Sequence, residues 1–392
     1  MARRMLIRAP LALLLLAAFL VQFTVPLTRV ASTYQAIALG LDPNLAGLLA
    51  AAFAVVPLFL VVWFGRLTDR HGVKPTMLVG AALIALAVLT LTIGAASLPV
   101  LFGGIALLGV GQTLHYSGLQ MVVPQVSTRP HRDAILGNYL LATSLGDACA
   151  PLVIGLVGSD HPERIGHQLY LVACFTGIAL VIVATLLALR LRPQAARLEA
   201  LPSIGAIVRT PGLVAILLAG SICATAQDLM ITYLPVLGLE RGIPAATIGV
   251  MLAVISLSSV ASRASYGVLS RWLGRGRLAS IAALAAAGGL ALLAVPLPSA
   301  AMFPFLPLVG FGLGSAGTAT LAGLLFIAPR GARGTAMSMR QMGNRLGLFS
   351  VPFAVGAVAL ATGGAGTFAM LAAVVASASM LARRANRASS LK

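Results

Sequence analysis

Apolar runs of roughly 20 residues alternate along this chain with short basic connections. The runs lie at about 9–38, 43–64, 76–96, 99–123, 134–157, 168–189, 211–238, 245–268, 278–296, 299–327, 335–361 and 366–382. At the helical rise each is long enough to cross a bilayer's hydrocarbon core. Lipid offers no hydrogen-bond partner to a peptide group, so such runs must be helices or strands of a closed barrel. Barrel strands would show alternating polar lumen positions, which are missing. The pattern therefore predicts an all-α polytopic membrane protein with twelve transmembrane helices. The first, seventh, tenth and eleventh runs exceed the minimum and are expected to tilt or to project beyond the hydrocarbon.

Composition narrows this reading. The chain is 59% hydrophobic and 9% charged, with a mean hydropathy of +1.00, which excludes soluble and disordered classes. The net charge of +18 would suit a nucleic-acid partner if it were continuous. Instead Arg and Lys form short clusters between apolar runs, so they report topology and not a nucleic-acid footprint. They fall on one side at Arg3 to Arg8, Arg66 to Lys74, Arg129 to Arg132, Arg190 to Arg209, Arg271 to Arg277, Arg330 to Arg333 and Arg383 to Lys392. Only Arg29, Arg164 and Arg241 could lie on the other side, which places both termini in the cytoplasm. A cleaved signal peptide over Met1 to Leu20 is set aside, because the apolar run continues to about Val30. Cys149, Cys174 and Cys223 all fall within apolar runs, have no metal spacing and read as small packing residues. No catalytic cluster, nucleotide-binding loop, metal set or cofactor motif is found, so no enzyme activity and no cofactor are expected.

The chain also repeats itself. Gly65-Arg66-Leu67-Thr68-Asp69-Arg70-His71-Gly72-Val73-Lys74-Pro75 reads as a charged turn between the second and third runs, and a weaker copy begins 202 positions later at Gly267. Both keep Gly-x-Leu-x-x-x-x-Gly followed by basic residues. Arg132 and Pro151 recur at Arg333 and Pro352, each 201 positions on, and Gly109-x-Gly111 is matched to Gly312-x-Gly314. These matches predict two pseudo-symmetric six-helix bundles, 1–190 and 211–392, joined by a cytoplasmic linker at 191–210, with a site between them.

The first charged stretch resembles the loop signature of the major facilitator superfamily, Gly-x-Leu-x-Asp-Arg-x-Gly-Arg-Lys. Gly65, Leu67, Asp69, Arg70, Gly72 and Lys74 match it, and Val73 replaces the usual Arg. The resemblance covers nearly the whole chain. It implies a secondary transporter working by alternating access in a bacterial cytoplasmic (inner) membrane, acting as a monomer on a small-molecule substrate. It also implies a conformational latch made by Gly65, Asp69, Arg70, Gly72 and Lys74, with Asp69 favouring the N-terminus of the eleventh helix near Arg333.

Ionisable residues within spans are costly, by about 2.5–3.5 kcal/mol at mid-helix, and so mark candidate sites. Asp147 in the fifth span and Asp228 in the seventh are each either a proton carrier or a static partner of a buried arginine. Arg29 either holds an anion or reaches the outer headgroups. Arg340 and Arg345 share the eleventh span with Gln341 and Asn344, in the i,i+4 pairs Arg340/Asn344 and Gln341/Arg345. Their guanidinium forks either suit a carboxylate or phosphate of a ligand or form a fixed pair with Asp147 or Asp228 across the bundle. Arg263 lies one turn inside the eighth span; Arg-x-x-x-Gly-x-Leu there resembles monocarboxylate-type members, which implies substrate contact, while its closeness to the cytoplasm equally allows it to snorkel to the cytoplasmic headgroups. Ala150-Pro151-x-x-x-Gly155 resembles a degraded antiporter signature and favours proton-coupled efflux. The arginine that drug/proton antiporters carry in the fourth span is replaced by Ile105, which argues the other way. Four arginines facing two aspartates favour an anionic solute, so organic-anion uptake or exchange is the alternative, and a non-transporting sensor is a third reading. His115 is read as a helix-contact residue, with Tyr116, Asn138 and Tyr139 as possible cavity lining.

Overall fold

The computed structural model describes residues 2–42, 45–94, 97–126, 132–157, 162–191, 205, 209–327 and 333–390. These residues form α1 (Ala2–Ala38), α2 (Gly47–His71), α3 (Val73–Gly94), α4 (Leu98–Val126), α5 (Arg132–Val157) and α6 (Pro162–Arg190). They continue with α7 (Leu213–Glu240), α8 (Ala245–Leu273), α9 (Arg275–Ala294), α10 (Leu306–Ile327) and α11 (Arg333–Ser390). No strand occurs among the described residues. Nine helices among them are long and apolar enough to cross a membrane, and shorter apolar helices lie at Gly47–Val61 and Leu141–Val153.

Three boundaries differ from the sequence reading, each for a physical reason. The charged stretch after the second run is not a loop. Helix α2 carries on through Arg66, Asp69 and Arg70 to His71, and only Gly72, at φ 81°, interrupts it before α3. Its repeat is Gly274, at φ 73°, between α8 and α9. A left-handed residue ends a helix most cheaply when it is glycine, so one residue suffices for the break. The tenth run divides into a single turn at Ser299–Met302, a 3-10 turn at Phe303–Phe305 and then α10. Pro304 and Pro307 lack the N–H groups that a continuous helix would need there. The eleventh and twelfth runs merge into the single element α11. Ala336 and Ala385 nevertheless share one apolar cluster with Leu213, Ile216, Leu217 and Leu324. A straight helix would hold those two alanines about 74 Å apart, so α11 doubles back on itself and makes two crossings, twelve in all.

The chain divides into two compact units. Unit 1 comprises Met1–Asp42, Ala52–Leu198 and Pro244–Val250, and unit 2 comprises Pro43–Ala51, Glu199–Ile243 and Met251–Lys392. In unit 1, α1 packs on α4, α5 and α6, and α3 packs on α4 and α6. In unit 2, α7 and α9 each pack on α10 and α11. The repeat is visible in atomic detail at the helix crossings. A Cβ on Gly109 of α4 would strike the Phe53 carbonyl oxygen of α2, and one on Gly310 of α10 would strike the Ile255 carbonyl oxygen of α8. Gly111 fits in the same way against Ile84 and Gly80 of α3, and Gly312 against Ala286 and Ala282 of α9. Gly109-x-Gly111 therefore corresponds to Gly310-x-Gly312, which corrects the pairing with Gly312-x-Gly314 by two residues. Small residues let the backbones approach where lipid supplies no hydrophobic drive for helix association.

Candidate functional site

In unit 1 the candidate carboxylate is placed by a tight crossing. Gly146 of α5 sits so close to α1 that a Cβ there would meet the Phe19 carbonyl oxygen and the Gln22 side chain. The next residue, Asp147, thereby comes within reach of Gln22, whose Nε2 donates to Oδ1 at 3.1 Å and to Oδ2 at 3.3 Å. Gln22 Oε1 in turn accepts from Gln112 Nε2 of α4 at 3.4 Å. A chain of amides thus links α4 through α1 to the half-buried carboxylate on α5. Arg29 lies two turns beyond Gln22, on the same face of α1. It is only 6% exposed, and its guanidinium carbon stands 4.8 Å above the centre of the Phe53 ring. That geometry is a cation–π contact in a desolvated setting. A different face of α1 is tied to α6, through Thr24 to Thr176 at 2.8 Å and Ser32 to Tyr170 at 2.8 Å.

Unit 2 uses the equivalent helix pair, α7 with the first crossing of α11. Gly343 and Gly347 lie so close to α7 that a Cβ on either would meet the hydroxyl of Ser221 or Thr225. Asn344, between them, donates through Nδ2 to Asp228 Oδ2 at 3.1 Å and accepts through Oδ1 from Thr225 Oγ1 at 3.0 Å. Each unit therefore pairs one carboxylate with one carboxamide across the same two helices, with the roles exchanged. The acid is on α5 and the amide on α1 in unit 1; the acid is on α7 and the amide on α11 in unit 2.

Arg340 donates from Nη2 to the Gly317 carbonyl of α10 at 3.3 Å and lies against Gly220 of α7. This arginine is held among the helices of its own unit. Arg345 and Arg263 are half-buried. The turn glycine Gly72 and Lys74 are described, whereas the side chains of residues 65–71, including Gly65, Asp69 and Arg70, lie outside the described residues. His115 is fully buried, with Nδ1 2.8 Å from the Met77 carbonyl, and a Cβ on Gly80 would meet its backbone. It is a contact residue between α3 and α4, as expected. Tyr116 and Tyr139 form a ring pair with centroids 6.3 Å apart, and Asn138 is exposed. All three cysteines are free thiols. No group of three metal-ligating side chains occurs among the described residues.

Sequence reasoning passed over Gln22, Gln112, Thr225 and Phe53. The first three carried a usable signal, because an uncharged amide or hydroxyl within an apolar span also needs a partner. Phe53 carried none; its role exists only once α2 brings it beneath Arg29.

Known proteins share this architecture. A D-xylose–proton symporter superposes with a TM-score of 0.79 at 13% identity, covering 96% of this chain and 97% of its own. A POT family transporter solved with 5-aminolevulinic acid gives 0.77 at 15% identity, with 94% of each chain covered. The nucleoside transporter NupG gives 0.70 at 14%, covering 96% of this chain and 99% of its own. At these identities the likeness is one of fold. No curated protein matches the chain in sequence. The sequence model of the Major Facilitator Superfamily, however, matches residues 13–352. With its twelve crossings, its doubled helix pattern and that match, the chain belongs to the Major Facilitator Superfamily and is a membrane transporter of a small molecule, not an enzyme.

Proposed function

We propose that this protein is a proton-coupled efflux transporter of a small organic solute, working by alternating access in a bacterial cytoplasmic membrane. In this reading it is a monomer with both termini cytoplasmic. The observation that carries it is the carboxylate–carboxamide pair in each unit, Asp147 with Gln22 and Asp228 with Asn344. Half-buried acids in an apolar helix bundle are expensive, and proton relay is a function that repays their retention. One of them takes a proton from one side of the membrane and returns it to the other. The degraded Ala150-Pro151 element supports the outward direction for the solute. Asp69, with Gly65, Arg70, Gly72 and Lys74, serves as the cytoplasmic latch.

A second reading, uptake or exchange of an organic anion, is favoured by Arg29. A buried guanidinium above an aromatic face presents a fork suited to a carboxylate. Arg345, Arg263 and Arg340 with Asn344 are the corresponding candidates in unit 2.

Reconstituted vesicles with an imposed pH gradient test the first reading. An acid interior opposite to the solute's starting side drives solute flux, and dissipating the gradient abolishes it. Flux indifferent to the gradient rejects proton coupling. A panel of small carboxylates, competed for binding to purified protein, tests the second reading. Competition that disappears in Arg345→Gln supports an anionic solute, and no competition by any carboxylate rejects it.

A further inference from the structure

Charge is distributed one-sidedly in unit 2. From Arg241 to Lys392 the chain contains Arg and Lys but no Asp or Glu. Among the described residues of unit 2 the acids are Asp228 and Glu240. Asp228 lies within α7 and accepts from Asn344 at 3.1 Å. Glu240 ends α7, and Arg241 beside it is bonded to the Ala294 carbonyl, the last residue of α9. Glu240 is thus held at the opposite end of α9 from Arg275, about 29 Å along the helix at its rise per residue.

A helix crossing gathers basic residues at the Arg275 end. A Cβ on Gly276 would meet the Asn386 side chain, and Ser280 Oγ donates to the Ser379 carbonyl at 3.3 Å. The start of α9 therefore runs antiparallel along the end of α11. Arg275 and Arg277 flank Gly276, and Arg383 and Arg384 precede Asn386 by less than one turn. All four are exposed, as is Arg271 at the end of α8. Like charges gathered in this way repel one another, and an anion lying among them removes that cost. The surface around them is apolar. Trp272 is 84% exposed and Phe326 71%, and the Arg275 guanidinium carbon stands 5.2 Å from the centre of the Phe326 ring. Along α9, Ile281, Leu284 and Leu292 follow Arg277 on one stripe of the helix and are exposed. Gly288, on the same stripe, has open space above it.

We infer that this end of unit 2 binds an anionic phospholipid, with its phosphodiester on the arginines of α9 and α11 and an acyl chain along the Ile281 stripe. A guanidinium presents a fork of donors that matches phosphate oxygens. Exposed aromatic rings at the ends of spanning helices sit at headgroup level, beside those phosphates. One molecule thus covers both the charge and the apolar stripe that leads away from it. A soluble acidic partner would leave Trp272, Phe326 and the stripe in water. A second copy of this chain would set arginines against arginines. A zwitterionic lipid would bring its own cation to them. The inference rests on the membrane-spanning fold and is independent of what the protein transports.

The chain supplies its own reporter. Its two tryptophans are Trp63 and Trp272, so Trp63→Phe leaves Trp272 as the sole source of tryptophan fluorescence. The full-length protein is reconstituted in phosphatidylcholine vesicles containing phosphatidylglycerol brominated along its acyl chains, which quenches a ring it touches. The same mole fraction of brominated phosphatidylcholine gives the reference, and the ratio of the two binding constants is the preference. At least about fivefold is expected, the factor carried by a single arginine at an anionic surface. The preference should fall to near one in Arg275→Gln/Arg277→Gln and should also fall in Arg383→Gln/Arg384→Gln, with helix content by circular dichroism unchanged. The second pair carries the test if the first does not fold. Arg190→Gln/Arg192→Gln, which removes the same charge from unit 1, should keep the preference. Equal quenching of Trp272 by the two lipids overturns the site. An equal fall in the Arg190/Arg192 variant also overturns it, because it makes the preference a property of net charge. Inorganic phosphate should leave the quenching unchanged, and displacement of the lipid by it rejects a lipid as the occupant. A dimer in the bilayer that becomes monomeric in either arginine pair assigns the face to a second copy and rejects the lipid.

Discussion

Replacing Gly109 or Gly310 by alanine is the sharpest test of the internal repeat. In each case the added Cβ is driven into a backbone carbonyl of the neighbouring helix, Phe53 in unit 1 and Ile255 in unit 2. At Gly310 the Ile255 carbonyl carbon would be 2.8 Å away and its Cα 2.9 Å. No rotamer change can relieve a clash with backbone, so the two helices must part along the crossing. Overpacking of this kind costs about 1–3 kcal/mol, with a backbone neighbour at the upper end. Alanine returns about 1 kcal/mol through its helix propensity, leaving a net loss of about 2 kcal/mol per site. For a unit of this size that corresponds to a fall in unfolding temperature of roughly 4–8 °C. Gly103→Ala and Gly288→Ala are the controls, since nothing lies within 4 Å of the added atom at either, and they should match or slightly exceed wild type. Purified variants heated in detergent and followed by the surviving monodisperse peak on size exclusion give the comparison. The losses in the Gly109/Gly310 double variant should add, because the sites lie in separate units. If Gly310→Ala melted with Gly288→Ala, the close crossing of α8 and α10, and with it the structural repeat, would be refuted.

Three further outcomes are expected. Phe53→Leu removes the ring beneath Arg29, a contact of about 1–2 kcal/mol for a desolvated pair. Its unfolding temperature should drop by a few degrees while Phe53→Tyr stays near wild type, and equal melting of the two would reject the cation–π contact. Arg241→Met breaks the bond from Nη2 to the Ala294 carbonyl at 3.1 Å, which ties the end of α7 to the end of α9. Amide hydrogen exchange over 295–305 should quicken several-fold, without change in α1 to α6. Asp69→Asn should slow transport in reconstituted vesicles while membrane insertion stays normal, and an unaltered rate would remove Asp69 from the latch.

The amino-acid sequence by itself determined the number of crossings, the helical state and the doubling of the chain. The reason is that lipid imposes one strong constraint: an apolar run must satisfy its own backbone, so length and hydropathy alone specify a spanning helix. It also marked the costly residues, Asp147, Asp228, Arg29 and Arg340, because a charge within an apolar run stands out without any structure. The tertiary structure alone decided which groups these residues meet. Hydropathy averaged over a span carries no rotational phase, so it could not say that Asn344 faces α7 while Arg340 turns to Gly317, or that Gln22 bridges Gln112 and Asp147. It also missed the helical continuation through Arg66 to His71, because helix ends depend on a single backbone torsion at Gly72 and not on polarity. What converts a scatter of polar residues into two acid–amide pairs is the close approach of helices at Gly146, Gly343 and Gly347, where the lack of a side chain sets which neighbours come within hydrogen-bonding distance.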